Sequence, residues 1–225
     1  MIKVVLLDVD NTLMDFHECA RQAMYLTAEE LGISFPADIF EVFTEINNGL
    51  WLDIEKGILT VDELHQIRWG KIFAAVGIER DGVEFEQGFL KNLAQGSATV
   101  EGAKELLEYL ASKYTLCVAS NAPYSQQTSR LFNAGLLDYF EKLFISETIG
   151  FSKPQKEFFD ACMEELPGVE KEEIIMIGDS LTADIAGAAA YGIKTCWYNY
   201  GKASAEKAAM ADYMVNTLSE IQAIL

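Results

Sequence analysis

The sequence predicts a doubly wound α/β domain, with a parallel sheet covered by helices on both faces and an all-α-helical cap inserted after the first strand. Three observations carry this. Short apolar runs alternate with helical periodicity through the second half of the chain. The stretch between the first apolar run and the next is helical throughout. Polar, chemically useful residues follow the apolar runs, which in a parallel sheet places them all at one end.

The first strand is Val4-Val5-Leu6-Leu7, a continuous aliphatic run of the kind buried on both faces of a sheet. It ends in "LLDVDNTLMD" (6–15), where Asp8 and Asp10 stand one residue apart. One polar residue is enough to end a strand, so a second acid needs its own reason; a solvated Asp-Asn turn is the plain alternative. Residues 15–96 then read as four helical segments near 16–32, 37–48, 60–77 and 83–94, punctuated by Pro36, Gly49, Gly57 and "ERDG" (79–82). These form the cap, with "QGSA" (95–98) as its return hinge, and leave 1–14 and 97–225 as the α/β core. Strands follow at 115–119, 143–146, 174–177 and 195–198, with a weaker one at 213–215. Helices at 100–112, 124–135, 155–166 and 181–191 alternate with them, and Gly135 and Gly192 suit C-terminal caps.

Half of the 225 residues are hydrophobic, enough for a large core, and the formal net charge is −18. A field of that sign repels nucleic-acid polymers and anionic membranes, so an anionic substrate needs a locally positive site. The N-terminal apolar run is too short for a leader or a span, which makes cytoplasmic localisation the expectation. Cys19, Cys117, Cys162 and Cys196 lack zinc spacing and read as reduced, inert thiols. His17 and His65 have no metal-spaced partner.

The positive site has candidates. Ser120-Asn121 follow the strand at 115–119, Lys153-Pro154 follow the one at 143–146 past a short loop, and Gly178-Asp179-Ser180 follow the one at 174–177, with Asp184 close behind. Each alone has a plain explanation as a cap, a turn or a surface charge. Their joint placement at one end of one sheet does not. Asp8, Asp10 and Asp179 would repel one another without a cation, and hard oxygen ligands select Mg²⁺. Ser120, Lys153 and helix N-terminal N–H groups supply what a phosphate needs.

Asp8-Val9-Asp10-Asn11-Thr12, Ser120-Asn121, Lys153-Pro154 and Gly178-Asp179-Ser180 with Asp184 resemble, in order, the four motifs of the haloacid dehalogenase superfamily. The resemblance implies a Rossmann-like core and a phosphomonoester hydrolase working through an aspartyl-phosphate. Asp8 would be the nucleophile and Asp10 the general acid and base. Mg²⁺ would be held by Asp8, the main-chain carbonyl of Asp10 and Asp179, with Asp184 in support. Thr12, Ser120 and Asn121 would bind phosphate, and Lys153 would restrain both the phosphate and Asp8. Asp10 favours phosphate-ester hydrolysis, because the dehalogenating and phosphonate-cleaving branches lack that second acid.

The stretch at 47–64 resembles one in a bacterial pyrimidine 5′-nucleotidase subgroup, which implies nucleoside monophosphates as substrates. Glu101 before Gly102, and Gln155-Lys156 after Pro154, depart from the family pattern outside the proposed chemistry. Phe16, His17, Asn47, Asn48 and Trp51 are the cap's candidates for reading the leaving group; Trp69, in a helically spaced run, reads as core packing. Phosphoglycolate or a small sugar phosphate is the alternative substrate. A phosphate-binding or phosphoacceptor regulatory protein is the alternative of another class; a receiver module would be about half this length, with its acceptor after a later strand.

Overall fold

The computed structural model describes residues 1–199 and 209–225. The chain falls into two compact units, Met1–Phe16 with Ser97–Leu225, and His17–Gly96.

The first unit is built on a six-stranded, all-parallel sheet in the order β3-β2-β1-β4-β5-β6. Its strands are β1 (Val4–Leu7), β2 (Thr115–Ser120), β3 (Lys142–Ile145), β4 (Ile174–Gly178), β5 (Lys194–Tyr198) and β6 (Tyr213–Val215). Strand order reverses between β1 and β4, which is where a doubly wound sheet opens its ligand crevice. β1 is buried along its whole length, and its Val4 and Leu6 join Cys117, Phe158, Phe159, Cys162 and Met176 in one apolar cluster. The four cysteines are buried, and burial pushes the thiols of Cys117 and Cys196 up to about 12.

The helices of this unit are shorter than their sequence periodicity suggests. They include α5 (Ala103–Ala111), α6 (Tyr124–Asn133), α7 (Ser146–Ile149), α8 (Lys156–Glu164) and α9 (Gly187–Tyr191). Ser146, expected at the end of a strand, opens α7 instead and donates its hydroxyl to the Asn121 carbonyl at 3.0 Å. The expected helix 181–191 begins with a π-wound turn over Leu181–Ala186, in which the Asp184 and Ile185 N–H groups both reach the Ser180 carbonyl at 3.1 Å.

In the second unit, α1 (Phe16–Glu30, entered from the core) is followed by α2 (Ile39–Glu55), α3 (Val61–Val76) and α4 (Gly82–Leu93). α2 does not stop before Gly49. A mid-helix glycine costs about 1 kcal/mol, whereas burying Leu50 and Ile54 beyond it returns about 1.5–3 kcal/mol each. The helix ends instead ahead of Gly57, whose φ of +71° is the left-handed conformation that closes it. A Thr60–Glu63 capping box starts α3, and the Asp81 carboxylate accepts from Val83 and Glu84 N–H at the start of α4. Trp69 is fully buried among Phe43, Phe73, Phe85 and Phe89, its ring 4.2 Å from that of Phe85 between centroids. No helix among the described residues is long and apolar enough to cross a membrane.

Candidate active site

The site grows from the ends of β1 and β4. The Asp8 N–H donates to the Ile177 carbonyl at 2.9 Å, pinning the first acid against β4. The chain then folds into a tight loop. Leu13 and Met14 N–H return to the Val9 carbonyl at 2.9 and 2.8 Å, and Asn11 takes the left-handed conformation at φ +60°, which Asn tolerates better than most residues. Asp8 and Asp10 leave this turn in different company.

Asp8 joins Asp179 and Asp184, and one carboxylate oxygen from each lies within 4.8 Å of the others. Lys153 neutralises part of this charge. Its Nζ donates to Asp8 Oδ1 at 2.8 Å, to Asp184 Oδ1 at 2.6 Å and to the Ala119 carbonyl at the end of β2. Asp184 accepts at its other oxygen from the Ser180 N–H at 3.0 Å, so both of its oxygens are held. Gly178 lets this happen: a Cβ there would stand 2.2 Å from Asp184 Oδ2. Burial raises the Asp8 carboxyl to about 7 against the pull of Lys153, and burial beside Asp8 and Asp184 lifts Asp179 well above the carboxylate range. Burial alone would lower the Lys153 ammonium, but Asp184 and Asp8 outweigh it and hold the lysine charged.

Three carboxylates facing one ammonium leave two negative charges when all are ionised. Together with their all-oxygen donors, that suits a hard divalent cation. Asp8 and Asp179 would be the first to hold it, because both oxygens of Asp184 already accept hydrogen bonds.

Asp10 turns to α6. Its Oδ2 accepts from Gln127 Nε2 at 2.7 Å and its Oδ1 from Arg130 Nη1. The same Gln127 nitrogen donates to Ser120 Oγ at 2.9 Å. Gln127 and Arg130 are fully buried. Sequence reading missed both, since "YSQQTSRLFN" looks like a polar surface helix; the available signal was their spacing of three, which puts them on one helix face.

A family profile described as haloacid dehalogenase-like hydrolase matches residues 2–192. This chain belongs to that family. The HAD-hydrolase YfnB of Bacillus subtilis is 34% identical over 223 residues, covering 99% of this chain and 95% of that one. Its solved structure, described as bound to magnesium and as revealing interdomain movement, matches with a TM-score of 0.94 and covers 100% of this chain and 98% of its own. The pyrimidine 5′-nucleotidase PynA of Streptococcus pneumoniae is 37% identical over 198 residues, covering 88% and 84% of the two chains. The pyrimidine 5′-nucleotidase YjjG of Escherichia coli is 28% identical over 222 residues, covering 98% and 96%.

Within this HAD-family hydrolase, the other residues singled out in the sequence divide between the two units. Thr12 is fully buried beside Asp10 in sequence, and among the described residues neither its Oγ1 nor the Oδ1 of Asn11 has a hydrogen-bond partner. Asn121 spends its side chain on the lysine loop: its Nδ2 donates to the Lys153 carbonyl and its Oδ1 accepts from the Lys153 N–H, each at 2.8 Å. The Phe16 ring lies under Arg130, with the guanidinium carbon 5.9 Å from its centroid.

In the helical unit, His17 stands edge-on to Phe40 at 6.1 Å. Asn47 is buried, its Oδ1 taken by Arg68 Nη1 at 2.9 Å within a buried Arg68–Glu86 ion pair. Trp51 packs partly buried against Leu50, Ile54 and Leu64, and Asn48 is exposed.

Proposed function

We propose that this hydrolase is a Mg²⁺-dependent phosphomonoesterase that acts on nucleoside monophosphates through a phosphorylated Asp8. The observation that carries the reading is the three-way contact of Lys153: with Asp8 Oδ1 and Asp184 Oδ1 bound to one buried ammonium, the second oxygen of Asp8 is left to attack phosphorus. The bond from Asp8 to phosphorus forms as the ester P–O bond breaks, and the departing alkoxide takes a proton from Asp10. In the second half, Asp10 takes a proton from water as its oxygen bonds to phosphorus, the bond from phosphorus to Asp8 breaks, and phosphate and the Asp8 carboxylate are released. Gln127 and Arg130 each donate to one oxygen of Asp10, and each oxygen keeps a further lone pair for the proton it exchanges. Bound Mg²⁺ would neutralise charge on the transferring group beside Asp8 and Asp179.

The preference for nucleoside monophosphates rests on the similarity to PynA and YjjG. Every residue of the acidic cluster lies in the first unit, so discrimination among leaving groups is assigned to the helical unit, which we read as a cap. Phosphate release from p-nitrophenyl phosphate with and without Mg²⁺ tests the chemistry. A panel of pyrimidine and purine nucleoside monophosphates, phosphoglycolate and small sugar phosphates tests the substrate. A best substrate outside the nucleotides would overturn the nucleotidase reading and leave the phosphatase standing.

A further inference from the structure

The Gln127 amide nitrogen faces two groups proposed for different tasks: Asp10 Oδ2 at 2.7 Å and Ser120 Oγ at 2.9 Å. Its orientation is set by chemistry. A carboxylate only accepts, so the amide atom toward Asp10 is the NH₂; a guanidinium only donates, so the atom toward Arg130 Nη1, at 3.3 Å, is Oε1. Its two N–H bonds are therefore spent, one on each partner.

The consequence falls on Ser120. Its hydroxyl oxygen has two lone pairs and one hydrogen. One lone pair accepts from Gln127 Nε2 and the other from the Ala122 N–H at 3.2 Å, and among the described residues the hydrogen has no acceptor. A buried hydroxyl filled on both acceptor sites has only its O–H left to offer. Ser120 is 2% exposed at the end of β2, next to the Ala119 carbonyl that receives Lys153.

We propose that Gln127 is a positioning residue that locks the Ser120 hydroxyl as an outward donor to a phosphoryl oxygen while holding Asp10, so that phosphate binding and proton transfer share one amide group. This rests on the phosphatase reading above. Arg130 serves the arrangement by fixing the amide's orientation and the second oxygen of Asp10.

The test is a double-mutant cycle on inorganic phosphate affinity, measured by calorimetry in Mg²⁺ with wild type, Ser120→Ala, Gln127→Met and the double variant. A hydrogen bond to a charged oxygen is worth about 1.5–3 kcal/mol, so Ser120→Ala should weaken phosphate binding about tenfold or more in wild type. In the Gln127→Met background the hydroxyl is free to turn, and the same change should cost less than about threefold. Gln127→Met should also lower kcat on p-nitrophenyl phosphate by more than Ser120→Ala lowers it, through Asp10.

If Gln127 only packs α6, the Gln127→Met variant loses melting temperature but Ser120→Ala costs the same in both backgrounds, and the inference is overturned. Gln127→Leu repeats the cycle with a second shape should the Met variant fold poorly. A wild-type protein that turns over but shows an additive cycle defeats this inference alone. A wild-type protein with neither turnover nor phosphate affinity defeats the phosphatase reading and this inference with it.

Discussion

Lys153 and Asp184 meet at 2.6 Å with side chains only 2% and 1% exposed, and each answers a charge that would otherwise be costly to bury. Asp184 is thus the lysine's anchor as much as a member of the acidic cluster. The pair sets the charge balance at the strand ends, because the same ammonium also reaches Asp8.

Lys153→Met keeps the aliphatic stem and removes the charge. Asp8 and Asp184 are then buried beside one another without compensation, and the protein should lose about 3–5 kcal/mol of stability. Added Mg²⁺ should recover part of it by supplying positive charge to the same carboxylates. Urea unfolding of both proteins with and without the cation measures this; an unchanged midpoint in the variant would show that Lys153 does not hold the cluster together.

Asp8→Asn should abolish turnover on p-nitrophenyl phosphate with the fold retained, since an amide cannot serve as the nucleophile. Asp10→Asn should keep phosphate binding and lower the rate by roughly 10² to 10⁴, the usual range for a lost general acid and base. Turnover near the wild-type rate in purified Asp8→Asn would exclude the phosphorylated-Asp8 mechanism.

Metal dependence and pH are linked through Asp8. Its carboxyl moves from 3.8 to about 7 on folding, so without metal the folded state favours the protonated form. That contribution to stability is fully present below about pH 4 and is lost as pH rises through about 7. A cation favours the ionised form, so the gain in melting temperature on adding Mg²⁺ should be small at pH 5 and larger at pH 8. Chelator should silence the enzyme, Mg²⁺ or Mn²⁺ should restore it, and Ca²⁺ should inhibit by enlarging the coordination shell. Full activity in excess chelator, or a thermal shift independent of pH, would count against the site.

Phe16 packs near Arg130, which itself holds Asp10. If the ring stacks on a base, worth about 1–3 kcal/mol by analogy with single-strand binding, Phe16→Ala should lose efficiency on nucleoside monophosphates and largely spare p-nitrophenyl phosphate. An equal loss on both substrates would instead assign the ring to supporting Arg130.

The sequence by itself determined the class of fold and the end of the sheet where the polar residues gather. Apolar runs have a local cause, burial on both faces of a strand, and the residue that follows each run necessarily sits at the strand's end. That is why Asp8, Ser120 and Asp179 could be placed without a structure. Tertiary structure decided who holds whom. Asn121 grips the backbone of Lys153 across 32 positions, and Gln127 reaches Asp10 across 117. Asn47 is enclosed by Arg68, and α2 runs on through Gly49 because the residues beyond it have a core to enter. Polar side chains carry no periodic signature of burial, since the same Gln or Arg serves on a solvated face. Only the folded chain, which pairs most of the polar groups it takes out of water, shows which of them turn inward and what they meet there.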